Sequence, residues 1–266
     1  HDALPIFNGK AEVHKMVRAI MHGCNGAMGR VIAGLAENDE DISIVAGIDI
    51  ADNKDTSFPV FTSLDECTVK ADVMIDFSIA KAADTMLNWC ERTGMPVVVC
   101  TTGLSEEQIS RVAKVAERTA VLRSANMSLG VNVLLKLVRE AAQVLAAADF
   151  DIEIVEKHHN QKVDAPSGTA IALADSINEA MDYAYHYKYD RSAERVKRDK
   201  KEIGIQAVRG GSIVGEHDVI FAGKDEVVTF SHTAYSKAIF AKGAIQAAKF
   251  LAGKEPGLYT MADVIG

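Results

Sequence analysis

Two hydrophobic periods alternate through the first half of the chain. Short apolar runs of strand length occur at Met16–His22, Ile42–Ile48, Ala71–Phe77, Pro96–Cys100 and Ala120–Ser124. Between them lie stretches with helical spacing: Arg30–Glu37, with Val31 and Leu35 on one side, then Ala80–Thr93, then Ile109–Arg118. The last of these is entered through Ser105-Glu106-Glu107-Gln108, an N-cap residue followed by acids that suit the positive end of a helix. Pro96–Cys100 is apolar throughout, as strands covered on both faces of a parallel sheet are. Strand and helix in strict alternation predict an α/β, doubly wound, Rossmann-type domain.

The second half has a different rhythm. Gly130–Ala148 carries Val133, Leu134, Leu137, Val138, Ala141 and Leu145 on one broad face and opens a second domain. Strand patterns follow at Phe150–Val155, near Ile205–Arg209, at Glu216–Ala222 and at Glu226–Ala234, with one helix, Thr169–Met181, among them. A run of strands with few helices is an α+β pattern. Asp182–Ile203 separates that helix from the later strands; Tyr183, Tyr185, Tyr187 and Tyr189 alternate within it, and Arg195, Lys197, Arg198, Lys200 and Lys201 crowd its end. Such a basic run reads as a solvated face. Lys237–Leu251 is a closing helix.

Composition narrows the function classes. The chain has 266 residues, enough for one large domain or two moderate ones, and a net charge of -8, the wrong sign for a general nucleic-acid footprint. No apolar run approaches the length of a membrane span. Cys24, Cys67, Cys90 and Cys100 are scattered without a C-x-x-C pair, which suits reduced thiols in the cytoplasm rather than a disulfide framework or a zinc site. No other spacing suggests metal ligands. Residues 1–15 lack periodicity, start without Met and precede Met16; they read as an appended, expression-derived segment outside both domains.

Two stretches carry candidate chemistry. The first is Gly23-Cys24-Asn25-Gly26-Ala27-Met28-Gly29, which follows the first strand directly, with Asp49 closing the second strand. Glycines let a backbone approach a pyrophosphate at a helix N-terminus, and an acid about 20 residues further on holds the ribose hydroxyls of a dinucleotide. The spacing is G-x-x-G-x-x-G rather than the commoner G-x-G-x-x-G, so the glycines alone would also suit an ordinary turn. Ligands of such sheets sit at the carboxyl ends of the strands. Phe77-Ser78, Thr101-Thr102 and Ala125-Asn126-Met127-Ser128 are therefore expected to line one crevice. Cys100, inside an apolar strand without a nearby His, reads as structural rather than nucleophilic.

The second stretch is Glu156–Ala170, E-K-H-H-N-Q-K-V-D-A-P-S-G-T-A, read as a loop between a strand and a helix. Ser167-Gly168-Thr169 falls at the helix start, where free N–H groups and the dipole bind carboxylate or phosphate. Lys162 adds a full charge, and His158 and His159 can move protons near neutral pH. Either feature alone suits a plain N-cap or a satisfied histidine pair; together they point to an enzyme acting on a small carboxylate.

These motifs resemble the 4-hydroxy-tetrahydrodipicolinate reductase (dihydrodipicolinate reductase) family of lysine and diaminopimelate synthesis, from about Met16 to Gly266. The carriers of the resemblance are E-x-H-H-x-x-K-x-D-A-P-S-G-T-A at Glu156–Ala170 and G-x-x-G-x-M-G-R at Gly23–Arg30. T-T-G at Thr101–Gly103, A-N-x-S at Ala125–Ser128 and R-G-G-x-x-G-E-H at Arg209–His217 agree with it. The resemblance implies a dinucleotide-binding domain over 16–128, closed by a C-terminal segment 237–266, and a substrate-binding and oligomerisation domain over 129–236 that builds a homotetramer. It implies His158 as proton donor or acceptor and Lys162 as the other catalytic group, with His159, Ser167, Gly168 and Thr169 holding the carboxylates of a small dicarboxylate substrate. It also implies that Gly23, Cys24, Asn25, Gly26, Ala27, Met28, Asp49, Cys100, Thr101, Thr102, Ala125, Asn126, Met127 and Ser128 hold NADH or NADPH. One departure is Cys100, where the family pattern has Gly before T-T-G. Asp49 followed by Ile50, where an Arg would bind a 2′-phosphate, predicts a preference for NADH, with Lys54 near enough to compensate in part. Diaminopimelate dehydrogenase, which would share the first domain but lack the H-H-x-x-K loop, and a non-enzymatic dinucleotide sensor are the alternatives.

Overall fold

In a computed structural model, the described residues are 15–51, 55–124 and 126–266. The first domain runs β1 (Val17–His22), α1 (Ala27–Ala36), β2 (Ile42–Ile48), β3 (Val60–Phe61), β4 (Val73–Asp76), α2 (Ala83–Thr93), β5 (Val97–Val99), α3 (Glu106–Ala116) and β6 (Ala120–Arg123). The second runs α4 (Leu129–Leu145), β7 (Asp151–His158), α5 (Gly168–Ala180), β8 (His186–Lys188), β9 (Glu202–Arg209), β10 (Gly215–Ala222) and β11 (Val227–Ala234). The chain closes with α6 (Ala238–Leu251), β12 (Gly257–Tyr259) and α7 (Met261–Ile265).

The first sheet has seven strands in the order β12-β6-β5-β4-β1-β2-β3, and every pairing in it is parallel. Its apolar runs are continuous because alternate residues serve two cores. Ala19, Met21, Ile75, Val98 and Leu122 pack on one face with α1 and α6. Ile20, Met74, Val97, Val99 and Val121 pack on the other with α2 and α3. Burying a side chain of this size is worth about 1.5–3 kcal/mol, so one residue of register slip would be costly on both faces. Ser105 and Gln108 form the capping box that starts α3.

α1 begins at Ala27 rather than Arg30. The glycine turn is thus the first turn of the helix, which is possible because Gly29 lies against Gly23; a Cβ there would come 2.3 Å from the Gly23 carbonyl oxygen. The closing segment gives more than a helix. β12 pairs in parallel with β6 and completes the sheet, while α6 buries Ala241, Ala244, Ala247, Ala248 and Leu251 in the core shared with α1.

The second sheet has five strands in the order β11-β10-β7-β9-β8. β10 is antiparallel to both neighbours, and β7, β9 and β8 run parallel. Ile152, Ile154, Ile203, Ile205, Val219 and Phe221 face α4 and α5. The opposite face carries Val155, Lys157, Val208, Glu216, Asp218 and Ile220, half-buried or exposed. The basic run is not simply solvated, contrary to the reading of its charge. Arg198 lies against the sheet and donates to Asp151, Glu153 and the carbonyls of Ile152 and Glu202. Buried edge carbonyls and acids need donors, and an arginine fork supplies several at once.

Candidate active site

At the first sheet, β1 is followed by Gly23, whose φ of +83° suits glycine alone and whose N–H donates to the Ile48 carbonyl. A Cβ at Gly23 would lie 2.6 Å from the Phe77 carbonyl oxygen. The N-cap of α1 is Gly26, with no side-chain acceptor for the first-turn N–H groups. Those groups and the helix dipole are therefore available to an anion. Asp49 stands beside this turn, its carboxylate accepting from the N–H groups of Asn25 and Ile50, each at 2.8 Å. A glycine cradle, an uncapped helix start and an acid at the end of the next strand fit the chemistry of a dinucleotide. Ala125 and Lys54 lie outside the described residues.

The thiols of Cys24 and Cys100 turn away from this cradle into the core. Burial pushes Cys24 up to about 11 and Cys100 well above the ordinary thiol value, so neither is a nucleophile. Asp76, at the end of β4, is fully buried and was not singled out from sequence. It accepts from Thr101 Oγ1 at 2.7 Å and the Ser78 N–H at 3.2 Å, and His22 Nδ1 lies 2.8 Å away. Burial alone would raise its carboxyl; His22, Ser78 and Thr101 outweigh that and hold it below the usual range. Asp76 thus ties together the Phe77-Ser78 and Thr101-Thr102 turns. Its only sequence signal was an acid inside an apolar strand.

Beside the second sheet lies a cavity of about 660 Å³ whose wall includes Asn126, His158, His159, Lys162, Ser167, Gly168 and Thr169. It is closed by His217 of β10, His232 of β11, and Lys237 and Phe240 at the start of α6. The H-H-x-x-K stretch is not all loop, as its polarity suggests. β7 continues through Glu156, Lys157 and His158, paired with β10 on one side and β9 on the other. The strand persists because Glu156 is fully buried and compensated. Arg209 Nη1 and Nη2 donate to its two oxygens at 2.7 Å each, and the Ser167 N–H donates at 3.0 Å. His158 Nδ1 lies 2.5 Å from Glu156 Oε2. Burial would raise Glu156, and Arg209, His158 and Ser167 together keep it ionised.

His158 is half-buried and His159 exposed at the cavity wall. Lys162 Nζ pairs with Asp164 at 2.8 Å within the loop, and that contact holds the Asp164 carboxyl below its usual range. The loop is fastened by Arg209 Nη2, which donates to the Asp164 carbonyl at 2.6 Å. Ser167 caps α5: its Oγ accepts from the Ala170 N–H at 3.1 Å and lies 2.8 Å from His217 Nε2. Burial pushes His217 down to about 4, so it is neutral near pH 7. Asn126 Nδ2 donates to Thr169 Oγ1 at 3.2 Å, joining the crevice of the first sheet to the first turn of α5. His232 and Lys237 reach the cavity without a sequence signal, since one sits in an ordinary alternating strand and the other precedes a helix.

A glycine cradle at the first sheet, together with a cavity at the second that offers imidazoles, a lysine and an anion-binding helix start, fits an NAD(P)H-dependent oxidoreductase. Comparison with known proteins narrows the class. The family model for the N-terminus of dihydrodipicolinate reductase matches residues 17–127, and that for its C-terminus residues 130–265. The 4-hydroxy-tetrahydrodipicolinate reductase of Caldanaerobacter subterraneus subsp. tengcongensis is 52% identical over 94% of this chain and 98% of its own. That of Clostridium novyi is 46% identical over 94% and 98%. A solved dipicolinate-bound dihydrodipicolinate reductase from Paenisporosarcina sp. TG-14 superposes with a TM-score of 0.79 at 26% identity, over 92% of this chain and 97% of that one. The chain belongs to the dihydrodipicolinate reductase family.

Proposed function

We infer that this enzyme reduces 4-hydroxy-tetrahydrodipicolinate, after loss of water from its ring, to tetrahydrodipicolinate in lysine and diaminopimelate synthesis. The observation that carries the reading is the convergence of His158, Lys162 and the Gly168-Thr169 helix start on one cavity wall. A bound reduced nicotinamide would supply the hydride. Gly23, Asn25, Gly26, Ala27, Met28 and Asp49 hold the dinucleotide, with the backbones of Cys24, Cys100, Thr101, Thr102, Met127 and Ser128 lining its nicotinamide end. Gly168 and Thr169 take one substrate carboxylate, with Ser167 shaping the turn beneath. Lys162 exchanges Asp164 for the substrate and stabilises the negative charge that arrives with the hydride. His159 adds a contact at the rim. His158 delivers the proton to the ring position next to the one that receives hydride, so that one hydride, carrying both electrons, and one proton complete the reduction.

Asp49 offers a carboxylate to the ribose hydroxyls and is followed by Ile50 rather than a cation, which favours NADH over NADPH. The assay is turnover of freshly generated substrate with each reduced cofactor; kcat/KM is expected to be higher with NADH. A higher value with NADPH defeats the cofactor reading. Cofactor binding with no turnover of any imine or keto acid would mark a sensor, and oxidation of diaminopimelate would mark a dehydrogenase. No helix among the described residues is long and apolar enough to cross a membrane. The four thiols, all free in the structure, suit a reducing cytoplasm, and the open face of the second sheet suits assembly into a homotetramer.

A further inference from the structure

Proton delivery by His158 does not by itself call for a buried carboxylate behind the ring, yet Glu156 is fully buried there. An unpaired buried charge is costly, so this carboxylate is held by design of the sheet. Glu156 and His158 stand two apart on β7 and therefore point to the same face. Arg209 pairs with His158 across β9 and reaches both Glu156 oxygens. The carboxylate thus has a fixed position, and it meets the imidazole at Nδ1 at 2.5 Å. The opposite nitrogen, Nε2, lies at the cavity wall beside Gly215, where a Cβ would stand 3.2 Å from it. A histidine whose Nδ1–H is committed to a carboxylate presents Nε2 as its working nitrogen.

We propose that Glu156 is the positioning residue of the site: clamped by Arg209 and the Ser167 N–H, it fixes the tautomer and direction of His158 so that Nε2 delivers the proton. The inference rests on the reductase reading for its kinetic arm only. The other charged or titratable groups around the ring and its cavity are His217 of β10, edge-on with centroids 5.2 Å apart, Arg209 of β9, the Lys162–Asp164 pair and His159 of the loop, His232 of β11, and Tyr235 and Lys237 before α6. Of the described residues, the carboxylate in contact with the ring is Glu156. Arg209 also fastens the loop carrying Lys162 through the Asp164 carbonyl, so one buried ion pair sets both the proton donor and the loop cation.

The test has two arms. Nitrogen-15 NMR of the full protein with labelled histidines, His158 being assigned by its loss in His158→Gln, should show the neutral ring protonated at Nδ1. A ring protonated at Nε2 overturns the proposal even where Glu156→Gln fails to fold. In the kinetic arm, Glu156→Gln should lower kcat by roughly 10- to 100-fold with KM changed little, a share of what a general acid contributes. NADH should bind as in the wild type. An unchanged kcat, or a loss confined to KM, overturns the role. A wild type without turnover would overturn the reductase reading instead, with the NMR arm still deciding the place of Glu156.

Discussion

His158 and His159 are adjacent in the chain but meet different surroundings, because β7 ends between them. His158 keeps strand geometry and a carboxylate partner, whereas His159 is exposed at the rim. His158→Gln should therefore lower kcat by about 10²–10³-fold with KM nearly unchanged, the size of effect expected for a proton donor. Thr169→Val should mainly raise KM, since it removes the hydroxyl that meets Asn126 at the cavity. Lys162→Met should damage both parameters. Steady-state kinetics with saturating cofactor measures all three. Should His159→Gln lose kcat while His158→Gln keeps it, the two roles must be exchanged. The motif made these residue types legible because they cluster in sequence. It was silent on the service of Arg209 to Glu156, since those residues stand 53 apart and belong to two separate motifs.

Among elements, α6 does more for the site than its apolar stripe suggests. Gly243 on its buried face lies against the turn at Met127, so close that a Cβ would fall 1.6 Å from the Met127 carbonyl oxygen. That turn is also held by Asn132, which donates to the Asn126 carbonyl at 2.8 Å. Gly243→Ala must push the helix or the turn aside and should cost about 1–3 kcal/mol or more, as overpacking does. It should also weaken NADH binding, because the same turn belongs to the proposed nicotinamide pocket. Thermal unfolding and a cofactor titration check this; unchanged Tm and affinity would show that the helix does not press on the turn. The strands and helices themselves were readable from period, and their ends were not. β7 ran past Val155 because a polar triplet, Glu156–His158, was paired on both sides, and α1 began early because glycine allowed it.

For the whole molecule, the question is what covers the outer face of the second sheet. Val155, Val208 and Ile220 sit there among Lys157, Glu216 and Asp218, which pair with one another at 3.0 and 3.1 Å. Neither α4 nor α5 covers this face, since their contacts lie with the opposite residues. Assembly through it into a homotetramer is the expected outcome, read by light scattering at micromolar concentration. Ile220→Asp should lower the mass, as a charge buried in an interface core is penalised. A wild-type monomer would end this reading.

The sequence by itself determined the two rhythms of secondary structure, the glycine turn with Asp49, and the family through one dense motif. Each of these is a local pattern of period, spacing or composition, and local patterns survive in one dimension. Only the tertiary structure decided that β12 joins β6, that Asn126 meets Thr169 across 43 residues, and that Asp76 and Glu156 are buried. Burial and long-range pairing depend on what the rest of the chain places overhead. A carboxylate beside an arginine and an imidazole becomes a fixed, ionised anchor only once the sheet has brought all three together and excluded water.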